Sequence, residues 1–513
     1  MPNRRKDSQR DMVLHSSTTR LPPEVLARIF HFYLPSSDER MFASPSAQRT
    51  SCLAQVCRPW KTIVESDPHL WTSIHFYFPS HTPSTCEEDA RRMRAILDLH
   101  FKRSGTLPLS LTFRDHRSLS DSNKGLISFL ANILREHSRR WKHISIHLPC
   151  NYFSLLFAFT PCDLSSLEHL HISSNNGQSV FHVPRLSLDS ATNLKSFSNS
   201  GSYSPLIDTV DLQWDRLVEV SFDFVPWNQS LLCQQFTHLG DCQNVAICSL
   251  GIDEICSLPT RQTITLFHLQ ILRIRRLSSQ ADTRLLEFLF LPRLETLEID
   301  SRFLVGFDRP YTPWQDRIFS NLLAQSGCAL RHLLIQDVDF SNEELVRCLA
   351  LSPTLTSLRF IPYPRSQDIE DVIRNLDVSP ATTVVGNQTQ IQEHRQTDAG
   401  TDLLVPGLRK LTLGTERDGS LDSIMAMLHS RGDARTRAAG VAALRCVEVI
   451  LFRKPRSPYL LRPRFKLKKM ERFRRKLAQW ASEVDENAND EISGGVVAKV
   501  GMRSTATVMT RIA

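Results

Sequence analysis

The 513 residues contain no apolar run approaching the ~20 residues that span a bilayer, which argues against a membrane-spanning helix. The opening MPNRRKDSQRDMVLH lacks the apolar stretch of a secretory signal. Twelve cysteines occur, yet none forms a CxxC pair. Cys52 with Cys57, or Cys242, Cys248 and Cys256, lack the paired spacing of a zinc site. The thiols therefore read as small reduced hydrophobes, and the chain as cytoplasmic or nuclear. No P-loop, dinucleotide fingerprint, HExxH or GxSxG motif is present. These absences predict a protein that is not an enzyme, with no cofactor, no metal and no membrane partner.

Net charge of one sign is confined to one place. The formal net charge is +8, but Arg453 to Lys476 holds twelve Lys or Arg against the single acid Glu471. The remainder of the chain is slightly acidic, so the basic excess belongs to one segment.

Residues 21–71 carry the densest signal. Leu21-Pro22-Pro23-Glu24 opens a helix, because proline in the first turn gives up no hydrogen bond and Glu24 suits the macrodipole there. Val25, Ile29 and Phe32, with Leu26, Phe30 and Tyr33 beside them, recur at helical spacing. About 50 residues in short helices cannot bury so wide a stripe, so the segment needs the rest of the chain or another protein. Leu21, Pro22, Glu24, Leu26, Ile29 and Phe30, followed by Val56, Cys57, Trp60, Leu70 and Trp71, resemble the F-box in order. The resemblance implies that these residues dock on the Skp adaptor of a cullin–RING ubiquitin ligase. The polar stretch Ser36 to Thr50 is longer than the usual loop of that family, an insertion of small entropic cost. The alternative is an ordinary amphipathic hairpin packed on the rest of the chain.

Beyond it, Thr72 to Phe78 reads as a strand, Glu87 to Ser104 as a helix, and Leu107 to Leu111 as another strand. LDLHFKRSGTLPLSLTF and RRWKHISIHLP resemble a family of F-box proteins numerous in mushroom-forming fungi. In that family, strands and helices after the F-box build a leucine-rich-type solenoid. The letters show a matching period. An apolar pair recurs at Ile144/Ile146, Leu170/Ile172, Val220/Phe222, Val245/Ile247, Leu272/Ile274, Leu297/Ile299, Leu333/Ile335, Leu358/Phe360, Leu411/Leu413 and Val447/Val449. Another apolar residue often lies three positions earlier, and several intervals fall in the ~20–29 range of leucine-rich repeats. Leu194 with Phe197 marks a degenerate copy; LSSLEHLHISSN, ending at Asn175, is nearest the full repeat. Helices such as Lys124 to Arg139 are expected to cover the convex face. The expected fold class is an α/β repeat, a small helical F-box followed by an irregular leucine-rich-repeat-like solenoid.

The residues between and beside the apolar pairs are expected on the concave, strand-bearing face, where a target would bind. They include His143, Ser145 and His147; His169 and His171; Arg273 and Arg275; Glu298 and Asp300; and Arg359. Arg273 and Arg275 beside Glu298 and Asp300 form the candidate anchor, unless those strands pair their charges with one another. His169 and His171 share a face but lack a third ligand nearby in sequence, so surface histidines are expected and not a metal pair.

Ser379 to Asp402 is polar and free of aromatics, and reads as a disordered insertion between repeats. From Lys466 onward Leu467, Met470, Phe473, Leu477 and Trp480 fall three or four apart, an amphipathic helix with a basic outer face. It either caps the last repeat or serves as a nuclear address; nucleic-acid readout lacks the expected aromatic interleaving. The expected divisions are a disordered lead (1–20), the F-box (21–71), the solenoid (72–452), the basic segment with its capping helix (453–484) and a disordered tail (485–513). The function expected is a substrate receptor linking an unidentified target protein to the ligase through the Skp adaptor. The alternatives are a non-degradative Skp-bound scaffold and a nuclear interaction protein using its basic segment.

Overall fold

The computed structural model describes residues 21–33, 46–78, 86–115, 124–149, 152–153, 163–174, 186–201, 210–224, 237–252, 263–276, 283–301, 317–338, 341–362, 369–377, 405–415, 420–432, 441–442, 444–453, 467–486 and 497–504. The expected lead, most of the polar stretch after Tyr33, Asn175 and the insertion at 379–402 lie outside them. The chain divides into two compact units, Met1–Trp227 and Asn228–Ala513.

The first unit opens with helices α1 (Pro23–Tyr33), α2 (Ser46–Val56) and α3 (Arg58–Ser66) and a 3-10 turn at Pro68–Trp71. Pro23 begins α1 where no amide partner is required, and the Leu26 amide donates to the Pro22 carbonyl at 3.1 Å. At the other end, the Asp67 carboxylate accepts from the His69 amide at 3.0 Å and so starts the 3-10 turn. Leu26, Phe30, Leu53, Val64, Leu70 and Trp71 form one buried cluster, with Ala54, Trp60 and Ile63 against it. The segment therefore does close a small core of its own, using one stripe of α1 and leaving a second.

Strands β1 (Ser73–Phe78), β2 (Leu109–Asp115), β3 (Trp141–His147) and β4 (His169–Ser174) come next, with helices α4 (Cys86–Ser104) and α5 (Lys124–Glu136) between the first three. Short β5 (Leu186–Ser187) pairs with β7 (Val210–Asp211), while β6 (Ser196–Gly201) and β8 (Glu219–Phe224) continue the main sheet. The order is β1-β2-β3-β4-β6-β8 and every pairing is parallel. Helix α5 ends at Glu136, short of the expected Arg139, and a 3-10 turn at Ser138–Arg140 delivers Trp141 to β3.

The second unit contains β9 (Ile247–Ile252), β10 (Ile264–Thr265), β11 (Ile271–Arg276), β12 (Leu289–Phe290), β13 (Thr296–Asp300), α6 (Ile318–Ser326), β14 (His332–Val338), α7 (Asn342–Ala350), β15 (Ser357–Pro362), α8 (Glu370–Leu376), β16 (Lys410–Thr415), α9 (Ser420–Gly432), β17 (Cys446–Arg453), α10 (Leu467–Glu486) and β18 (Val497–Ser504). Its main sheet runs β9-β11-β13-β14-β15-β16-β17-β18, again all parallel, and β10 pairs with β12. Among the described residues no helix is long and apolar enough to cross a membrane.

Register explains the period in the letters. Ile144, Leu170, Phe197 and Val220 stand side by side in the first unit. Leu272, Leu297, Leu333, Leu358, Leu411 and Val447 do so in the second. The second member of each pair lies two residues on, and the residue three before the first is buried as well, as at Leu167, Leu217, Leu269, Leu294, Leu330, Leu355, Leu408 and Leu444. Two-residue alternation in a strand puts both pair members on the inner side.

Three expectations need correction. The pair Val245/Ile247 is out of step: Cys248 and Leu250 pair with Leu272 and Ile274, and Val245 is the residue three earlier. Cys248 fills the slot as a small buried hydrophobe, its thiol pushed up by burial. The tail after Glu486 is not wholly without structure, since β18 pairs with β17 over eight positions, placing Ala498 and Val500 beside Val447 and Val449. A single methyl at Ala498 gives the sequence pattern too little contrast to register. Helix α10 is consequently a crossover between two strands and not a terminal cap. Its apolar side does behave as expected: Phe473, Leu477 and Trp480 are buried, and the Trp480 indole donates to the Leu428 carbonyl of α9 at 3.1 Å.

Ile299 is fully buried, whereas Arg273 on the neighbouring strand is on the outward side. Ile299→Asp is expected to cost more than about 3 kcal/mol, because it buries an unpaired charge. Arg273→Ala should stay within about 1 kcal/mol. Equal shifts of the two urea midpoints would show the in/out register of β11 and β13 to be wrong.

Candidate functional site

Helix α1 carries two apolar stripes. Leu26 and Phe30, one turn apart, are 4 % and 1 % exposed and belong to the core. Leu21, Val25, Ile29 and Phe32 follow the same helical spacing one residue earlier and remain outside, with Ile29 46 % and Phe32 81 % exposed. Tyr33 is half exposed beside them, and Val56 at the end of α2 is 56 % exposed. A soluble domain rarely spends so many large apolar side chains on water within one helix, so this stripe has the character of an interaction surface.

The expected adaptor-contact residues divide accordingly. Leu21, Pro22, Glu24, Ile29 and Val56 are exposed, and Cys57 and Trp60 are half-buried. Leu26, Phe30, Leu70 and Trp71 lie buried in the core cluster of the helical segment. Trp60 supports Phe30 from below, their rings 4.7 Å apart. Val25, Phe32 and Tyr33 lie on the exposed surface but outside the expected set; the alternation of the two stripes along α1 was the signal for them.

Behind this surface, Trp71 joins the helices to the sheet. Its indole donates to the Val64 carbonyl at 2.7 Å. Its own carbonyl accepts from the buried His100 of α4, Nδ1 at 2.8 Å, and the two rings meet edge-on at 5.2 Å. Arg103 lies 4.5 Å over the Trp71 ring and pairs with Glu65 at 3.0 Å. The other imidazole nitrogen of His100 is buried with no partner, so the ring is neutral there. Burial pushes its pKa below the ordinary histidine value, against a smaller upward pull from the bond to Trp71.

The outward rows of the sheets hold the expected target-face residues. In the first unit His143 stands beside His169, and Ser145 beside His171. His147 and His171 rings approach to 4.8 Å. In the second unit the candidate anchor is internally satisfied: Arg273 pairs with Glu298 at 3.2 Å. Arg359 reaches Glu448 at 3.4 Å, and Thr412 on the strand between donates to the same carboxylate at 3.3 Å. Asp300 is buried, and Arg275 stands beside it in register. Glu448 and Thr412 were not named among the expected residues although each lies between the two members of an apolar pair, and their partners are 89 and 36 residues away in the chain. Among the described residues no group of three His, Cys, Asp or Glu could hold a metal ion.

Residues 18–77 match the F-box-like family. No curated protein matches the chain.

The neutral His100 gives the junction a pH dependence whose sign is fixed. The unfolded chain binds a proton at this site below about pH 6.5 and the folded chain resists it, so the contribution is complete above that value and declines as pH falls. The stability advantage of the wild type over His100→Gln should therefore shrink by up to about 1.4 kcal/mol per pH unit below pH 6.5. Urea titrations at pH 7.5, 6.5 and 5.5 measure it; an advantage that grows on acidification would reverse the assignment of the neutral ring.

Proposed function

We propose that the chain is a substrate-receptor subunit of a Skp–cullin–F-box ubiquitin ligase. F-box domains bind Skp-type adaptors within cullin ligases, and residues 18–77 are F-box-like. The observation that carries the reading is the second stripe of α1, Val25, Ile29 and Phe32, with Leu21 just ahead of it, left exposed by a helical domain whose core is already closed. Covering such side chains releases roughly 1.5–3 kcal/mol each on full burial, enough in sum to hold a stable partner.

The remainder is read as a leucine-rich-type solenoid, supported by the parallel order of the strands and by the buried triplet that opens each repeat. Its outward rows hold an unidentified target protein. The chain contributes no chemistry of its own; it raises the target's effective concentration beside the ubiquitin-carrying enzyme. The basic outer side of α10, with Arg472, Arg474, Arg475 and Lys476 exposed, favours one second reading, a nuclear interaction protein that uses this helix. Loss of nuclear accumulation on reversing these four charges, with adaptor capture and target abundance unchanged, would select it.

Ile29→Asp with Phe32→Ser should lower Skp-adaptor co-purification by about 100-fold or more while the urea midpoint stays near that of the wild type. Leu26→Ala, by contrast, should cost ~2–5 kcal/mol of stability, because it empties part of the core. Undiminished adaptor recovery by the first variant would rule out the docking surface.

A further inference from the structure

At the entry end of the strands a row of residues lies just ahead of the inner apolar pair, and the two units charge this row differently. In the first unit Lys142, Glu168 and Lys195 follow one another on successive strands, each amide after the first donating to the preceding carbonyl at 2.9 Å. Glu168 sits between the two ammonium groups, 3.5 Å from Lys142 and 3.8 Å from Lys195, so both cations have an acid beside them.

In the second unit the same backbone ladder runs Glu295, Arg331, Thr356, Arg409, Arg445 across β13 to β17, its amides donating at 2.7–2.9 Å. Glu295 reaches Arg331 at 3.9 Å. Past Thr356 the signs no longer alternate. Arg409 and Lys410 are exposed and Arg445 is half-buried, and among the described residues none of the three meets an acid. Glu448, two residues along β17 from Cys446, is already taken by Arg359 at 3.4 Å and Thr412 at 3.3 Å. His332, Ser357 and Cys446 complete the register row of Lys410.

Adjacent strands lie ~4.8 Å apart, so Arg331 to Arg445 is a line roughly 14 Å long, which about four or five residues of extended chain would cross. Like charges on neighbouring strands repel, so the fold itself gains nothing from setting Arg409 beside Arg445 with Lys410 next to them. Each guanidinium stays charged and offers a fork of donors that matches the two oxygens of a carboxylate. Neither row contains Phe, Tyr or Trp for a base to stack on, which favours carboxylates over nucleic acid.

We propose that Arg409, Lys410 and Arg445 bind an acidic, extended segment of the target protein, laid across β15 to β17 at their entry end. The segment's carboxylates do for this row what Glu168 does for the row of the first unit. This rests on the substrate-receptor reading and names the chemistry of the segment that the target presents.

The test uses the full chain at neutral pH and a fluorescein-labelled decamer of aspartate. Anisotropy at low salt should show saturable binding that weakens as salt is added. Arg409→Gln with Arg445→Gln should weaken it about five- to thirty-fold, while the urea midpoint holds or rises because a repulsion is gone. Lys410→Gln alone should give a smaller loss in the same direction. Arg472→Gln with Arg475→Gln on α10 removes the same charge and should bind as wild type does. Binding that is absent, that survives the Arg409/Arg445 variant, or that falls equally in the α10 variant overturns the proposal. A urea midpoint lowered in the Arg409/Arg445 variant also overturns it, since the row is then structural. So does a single-stranded oligothymidylate that binds more tightly than the decamer and is lost in the same variant, which assigns the row to nucleic acid. Adaptor capture on the same preparations separates the two ideas. Capture without decamer binding sinks only the acidic-segment proposal, and decamer binding without capture sinks only the receptor reading.

Discussion

None of the described strands can bury its own inner side. Each repeat supplies a triplet such as Leu269, Leu272 and Ile274, and its cover comes from the triplet on either side, Leu294, Leu297 and Ile299 being the next. Within each unit, a fault in one inner slot therefore meets the strands in register beside it first. The parallel register is what makes this work. It brings like positions of successive repeats together, so one solution to side-chain packing is reused with small changes. Phe197 or Cys248 can take the place of leucine because the slot fixes depth and polarity, not identity. Asn199 is the exception: it occupies an inner slot, fully buried, with neither amide atom partnered. A polar group so placed costs stability, and we have no physical account of what it returns.

The helical domain solves a different problem. Its core is small, and it gains stiffness from being bonded to the sheet next to it in the chain. Trp71 does this through three kinds of contact, an indole hydrogen bond to Val64, a carbonyl bonded to His100, and a ring covered by Arg103. The buried junction at Trp71 thus ties α1–α3 to the first strands of the same unit.

Much of this was legible in the letters because the dominant signals are periodic. The triplets recur at a spacing that only side-by-side strands explain, and α1 announces its stripes at three- and four-residue intervals. What was hidden falls into two kinds. Cys248 fills an inner slot with a side chain too small to raise the apolar contrast, and Ala498 adds only a methyl to the sequence pattern, so one strand was placed three residues early and another was missed. Leu26 and Phe30 are as apolar as Ile29 and Phe32, and composition alone cannot tell which stripe a helix spends on its own core. That choice depends on Leu53, Val64 and Trp71, which only the folded chain brings against one side. The pairing of Arg359 with Glu448 was illegible for a related reason, since nothing in either neighbourhood points 89 residues away.

One side chain links the described residues on either side of 378–404. Arg431 on α9 is almost fully buried, its Nε donating to the Leu376 carbonyl at 2.8 Å and an Nη to the Val405 carbonyl at 3.4 Å. Those two carbonyls stand at either side of residues 378–404, so a single guanidinium ties both edges of the intervening stretch to one helix. Burial lowers its pKa to about 10, with Asp377 pulling the other way, and the group stays charged at neutral pH. With the ends fixed by Arg431, Leu358 and Leu411 meet in register as if the repeat between them had the ordinary length.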